Sequence, residues 1–125
     1  MTRVFALVGA AAYFLWGALH LLAAVNSFQF AASVDPSLIQ GRLFQGASYV
    51  GVFAIIAVIV ALALNWRNSR LGYWINLITV SVADIPFVLF IVQPGHMTGV
   101  EALLGPALWL TGAAFSTAAI VMANR

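Results

Sequence analysis

Residues 71–92 read LGYWINLITVSVADIPFVLFIV, 22 consecutive positions with a single charged side chain, Asp84. A helix needs about 20 apolar residues to cross the hydrocarbon core of a bilayer. In lipid every backbone N–H and C=O must pair within its own segment, so a run of this kind is expected to be helical. Its length and lack of polar alternation argue against a barrel strand. Three similar runs surround it, Val4–Val25, Leu43–Leu64 and Val100–Met122. Together the four occupy 89 of 125 residues and leave 36 for ends and connections, too few for a soluble domain. The expected fold is therefore all-α: one domain, residues 1–125, of four transmembrane helices. The short connections between spans two and three, and three and four, predict an antiparallel bundle.

Composition supports this class. Hydrophobic residues make up 64% and charged residues 6%, with a mean hydropathy of +1.06. Soluble domains carry about 25% charge, and a globule this small has too little interior to hide so much apolar surface. The same figures exclude disorder. The absence of cysteine excludes disulfides, thiolate metal sites and iron–sulfur clusters. The five basic residues are scattered arginines, so no nucleic-acid partner is expected. No G-x-S-x-G elbow and no Gly-rich phosphate loop is present.

Orientation follows from the arginines. With four crossings, Arg3, Arg67, Arg70 and Arg125 fall on one side and Arg42 on the other. The positive-inside rule then places both termini and the Asn65–Arg70 turn in the cytoplasm. The Asn26–Arg42 loop and the Gln93–Gly99 turn face outward. Size and span number match many small bacterial-type membrane proteins, so a bacterial inner membrane is the expected location. The first apolar stretch exceeds the 7–15 residues of a signal-peptide core and is expected to be a retained helix. In the outer loop, Asp35 is the expected N-cap of the second helix and Pro36 its first position.

Small residues four apart supply close helix packing in lipid. Ala47/Gly51, Ala57/Ala61 and Gly112/Ser116 are such pairs, and Gly9 and Gly17 flank Tyr13 on span one. They suit contacts within the bundle, with a second copy, or with a larger membrane complex. Trp66 and Trp74 fit the cytoplasmic interface. Trp16 and Trp109 fall inside spans, facing either lipid or the interior.

The remaining ionisable groups crowd toward the outer side. By helical rise, His20 lies about 7–8 Å and Asp84 about 12 Å below the outer boundary. Arg42, Gln45 and Tyr49 occupy the outer end of span two, and Glu101 opens span four beside His96. These groups are expected to converge on one outward-opening pocket. Asp84 is the most informative, because an intramembrane charge is costly and by default functional. Pro86 removes a hydrogen bond to the Val82 carbonyl and should kink the helix there. His20 is the expected partner of Asp84. Tyr13, Trp16 and His20 share one helical face, an aromatic stripe with a polar end.

Three functions compete at this level. In the first, His20 and Asp84 act as acid–base groups on a small apolar or lipid-like ligand, with Tyr13, Trp16, Arg42, Gln45, Tyr49 and Glu101 in its pocket. In the second, the chain is an accessory or scaffold subunit, and Asp84 only fixes packing. In the third, it is a small dimeric transporter with Asp84 as coupling carboxylate. Membrane lipid is a partner in every case. His20, His96, Asp84 and Glu101 are ligand types for zinc, copper or non-haem iron, but no metal-motif spacing joins them, so no metal is assigned and the cofactor stays open. Arg42 is expected to pair with Asp35 or Glu101, or with anionic head groups.

Overall fold

The computed structural model describes residues 1–124; Arg125, counted above with the inner arginines, lies outside the described residues. Four helices form: α1, Thr2–Ala32; α2, Leu38–Ala63; α3, Arg70–Phe87; and α4, Val100–Ala123. A 3₁₀ turn, Asn65–Arg67, follows α2, and a π-helical turn, Val88–Val92, extends α3. Four stretches are long and apolar enough to cross a membrane: Thr2–Ala32, Leu38–Arg67, Arg70–Val92 and Val100–Ala123. There is no strand among the described residues. This is the make-up of an integral membrane protein.

Two helix boundaries differ from the sequence reading. α1 continues past Val25 to Ala32, so much of the supposed outer loop is helix. No Gly or Pro interrupts residues 26–32, and the end is stabilised from the next helix. Gln40 Nε2 donates to the carbonyls of Ala31 and Val34, at 3.2 and 2.8 Å, filling acceptors that a helix C-terminus leaves open. The cap of α2 is Ser37, not Asp35. Its Oγ accepts from the Gln40 N–H at 3.2 Å, and Pro36 stays outside the helix. α2 does begin ahead of Leu43, as a cap in the outer loop implied.

α1 packs along both α2 and α4, and α3 also rests on α2 and α4. The small residues lie where the backbones meet. A Cβ added to Gly9 would collide with Ser116, its backbone N 2.9 Å away; one on Gly112 would come within 2.8 Å of the Tyr13 ring. Gly17 sits against Val58 and the Ala54 carbonyl, which a Cβ would approach to 2.9 Å. These stripes are thus occupied by contacts within the chain. The pairings 9 with 116, 13 with 112, and 20 with 105 show positions falling along α4 as they rise along α1.

Tyr13, Trp16, Ala57, Ala61 and Val80 form the buried apolar cluster. Trp16 is an interior residue, fully buried, whereas Trp109 is partly buried and donates to Ser81 Oγ at 2.8 Å. Trp66 and Trp74 are exposed, as are Leu62, Ile78, Leu110 and many other large apolar side chains around the helices. An outer surface this apolar matches a hydrocarbon solvent.

Candidate functional site

On α3 the buried positions are Gly72, Asn76, Val80 and Asp84, one every four residues. That spacing keeps them on one face, and the face turns inward. Asp84 is therefore carried to the interior by its register with three neighbours. Pro86 follows two positions on. Without its N–H, the regular hydrogen-bond ladder is broken, and the helix re-forms as a wider turn: the Val88 carbonyl accepts from Gln93 N at 2.8 Å and the Ile91 carbonyl from His96 N at 3.0 Å. The π-helical turn Val88–Val92 thus follows Pro86 by two residues, a recurrent feature near functional sites. Phe87, the residue after Pro86, is left facing a cavity.

The structure brings His20 and Asp84 together. His20 Nε2 lies 3.6 Å from Asp84 Oδ1, with Asp84 buried and His20 partly so. Trp16 completes the group. Its Nε1–H donates to Asp84 Oδ1 at 3.1 Å, and its ring stacks on His20 with centroids 3.8 Å apart. His20 Nδ1 lies 2.8 Å from the Trp16 carbonyl. A carbonyl oxygen only accepts, so Nδ1 carries a hydrogen and donates it. This hydrogen bond and the stack hold the ring so that Nε2 faces the carboxylate. Asp84 Oδ2, in contrast, is buried with no hydrogen-bond partner. Such atoms are rare in folded proteins and each calls for a reason.

A cavity of about 420 Å³ lies beside this group, between the second half of α1, the end of α3 and the start of α4. Its apolar wall includes Leu19, Leu22, Phe87, Met97 and Leu104. His20, Asn26 and Glu101 are its polar side chains. Gly105 lines it too, and a Cβ there would lie 3.1 Å from His20 Cε1 and 3.9 Å from Asp84 Oδ2. The Gly105 backbone therefore packs closely against His20 near the orphaned oxygen, and Asp84 itself does not line the cavity.

The other expected site residues separate into two sets. Glu101 lines the cavity in the first turn of α4, where the helix dipole favours an anion. Tyr13 is buried in the apolar cluster and its hydroxyl has no partner. Arg42, Gln45 and Tyr49 do not join the group: none lines the cavity, and they form their own chain on the surface of α2. Arg42 Nη1 donates to Gln45 Oε1 at 2.9 Å, and Gln45 Nε2 to Tyr49 OH at 2.7 Å. Arg42 therefore meets neither Asp35 nor Glu101. The reason is placement: no residue of α2 borders the cavity, and all three side chains sit on the exposed face of that helix. Among the described residues, no three His, Asp or Glu side chains gather closely enough to hold a metal ion.

Sequence reasoning missed a second polar group at the other end of the α3 stripe. Buried Asn76 donates from Nδ2 to Asn65 Oδ1 at 2.8 Å and to the Ala57 carbonyl at 3.3 Å. Asn68, in the left-handed conformation (φ 55°), donates to the Ala119 carbonyl at 3.3 Å. The half of the bundle away from Asp84 is therefore less uniformly apolar than its composition suggested. The spacing of eight between Asn76 and Asp84 was the available signal. No family model, curated protein or solved structure matches this chain.

Proposed function

We propose that this chain is an antiparallel four-helix membrane protein with both termini cytoplasmic, whose cavity opens to the outer face and binds a small apolar or lipid-like molecule. The helix pairings described above support the antiparallel arrangement. Arg3, Arg67 and Arg70 on the opposite side from Arg42 support the orientation. A single observation carries the ligand reading: an apolar cavity of about 420 Å³ ends on His20, which stands against a buried carboxylate. Concave, mainly apolar sites with a few convergent polar groups are the usual form of small-molecule sites.

In this reading His20 and Asp84 are the acid–base pair. With Nδ1–H committed to the Trp16 carbonyl, Nε2 is the ring atom that takes or gives a proton, and Asp84 stabilises the imidazolium. The chemistry offered is hydrogen bonding and proton transfer. Val80, midway between Asp84 and Asn76 on the buried face of α3, belongs to the apolar cluster with Tyr13 and Trp16, which supports a dead-ended pocket over a transport path. A second reading, an accessory subunit without chemistry, is favoured by the Trp16–Asp84 hydrogen bond, since that contact alone could serve packing.

The test is purification into native lipid particles followed by mass spectrometry of retained small molecules. A molecule held by the native chain and lost from Gly105→Leu, which places a side chain against His20 at the cavity wall, is the expected result. If nothing but bulk lipid is retained and a partner chain co-purifies in fixed ratio, the accessory reading replaces this one.

A further inference from the structure

Resting on the reading of the cavity as a ligand site, we infer that its ligand is a lipophilic ammonium, an apolar molecule bearing a protonated amine, and that it binds in exchange for a proton. Three observations carry this. The first is sign. The ionisable side chains at the cavity are His20 from α1, Glu101 from α4 and, behind them, Asp84 from α3; no Arg lines it. α2 adds none, since Arg42 is engaged with Gln45 on the surface and Tyr49 is exposed. His96 in the adjoining turn does not line the cavity. Two carboxylates and no fixed cation repel anions and favour cations.

The second observation is the orphaned oxygen. Asp84 Oδ2 is buried, without a partner, close to Gly105, which with His20 lines the cavity. A carboxylate oxygen asks for a donor, and an N⁺–H supplies a charge-assisted one. The apolar wall would then hold the hydrocarbon part of the ligand.

The third is the hydrogen count at His20. Nδ1–H points at the Trp16 carbonyl, so in a neutral ring Nε2 presents a lone pair to Asp84 Oδ1 3.6 Å away. This leaves the buried carboxylate without a counter-charge. One further proton, on Nε2, turns this into an attractive pair with no net charge, which is the condition for burying a carboxylate in an apolar setting. An ammonium on Oδ2 neutralises Asp84 equally well. The Nε2 proton is then surplus and leaves through the cavity to water. One cation enters, one proton departs, and the net charge of the site is unchanged.

The experiment uses the whole chain in zwitterionic phosphatidylcholine nanodiscs and three probes on one rigid cage: 1-aminoadamantane, 1-hydroxyadamantane and adamantane-1-carboxylate. Binding is measured by calorimetry against empty discs, in two buffers of different ionisation enthalpy so that proton release is counted. The expected result is amine binding about tenfold or more tighter than the alcohol, no saturable carboxylate binding, and about one proton released per amine bound. Asp84→Asn should erase both the preference and the proton release. The wild-type proton count stands by itself if that variant does not fold. Equal saturable binding of amine and alcohol, or amine binding without proton release, overturns the inference but leaves the ligand pocket standing. No saturable binding of any cage, with Gly105→Leu indistinguishable from wild type, overturns both.

Discussion

Trp16 is the residue on which the site's geometry rests. Its indole N–H is the hydrogen bond that Asp84 receives, its carbonyl holds His20 Nδ1, and its ring backs the imidazole. Trp16→Phe keeps an aromatic ring but removes the donor together with part of the buried volume. Because it strips a hydrogen bond from a buried carboxylate, it should lower stability by about 1–3 kcal/mol, measured as a fall in unfolding midpoint in lipid nanodiscs. Asp84→Leu in the same background should recover part of that loss, since it removes the acceptor along with the donor. A double-mutant cycle showing no coupling between positions 16 and 84 would rule out the hydrogen bond as the stabilising contact.

At the scale of elements, one substitution has opposite signs at different helix positions. Gly41 in α2 has nothing near its missing Cβ, whereas a Cβ at Gly9 meets the Ser116 backbone of α4. Gly41→Ala should stabilise by about 0.5–1 kcal/mol, through backbone entropy alone. Gly9→Ala should cost about 1–3 kcal/mol by overpacking, and Ser116→Gly should rescue it only in part because the backbone N stays in place. Thermal unfolding of the three variants checks both signs. The wide turn after Pro86 is also an element-scale feature. Pro86→Ala restores a donor for the Val82 carbonyl and should favour a regular helix through residues 88–92. Phe87 and Met97 would then shift against the cavity, and binding should weaken without loss of fold; circular dichroism with the adamantane titration separates the two effects.

For the whole molecule, the testable quantity is orientation. The chain has no cysteine, so single cysteines report unambiguously. In sealed cells, Thr98→Cys should react with a membrane-impermeant maleimide, and Thr2→Cys should react only after the membrane is opened. The reverse pattern would place the cavity on the cytoplasmic side. The exposed apolar belt, with Leu62, Ile78 and Leu110 each 58% exposed, also predicts that the isolated chain aggregates when lipid or detergent is withdrawn. Light scattering on detergent removal checks this.

Sequence alone determined the class and the four apolar helices, because apolar length is a one-dimensional property of a chain, and axial rise put His20 and Asp84 at similar levels. It also brought His20, Asp84 and Trp16 under suspicion together, from depth and from shared helical spacing. What it left undetermined was rotation. A helix that is apolar all round shows no polar stripe to tell which side turns inward, so Gln45 and Tyr49 looked as convergent as His20, and Asn76 looked incidental. Boundaries shifted for a related reason: Gln40, the third residue of α2, caps the end of α1 across space. Only tertiary packing, set by where Gly9, Gly17, Gly105 and Gly112 let backbones and rings approach, decided which faces meet, and with them which polar atoms share one cavity.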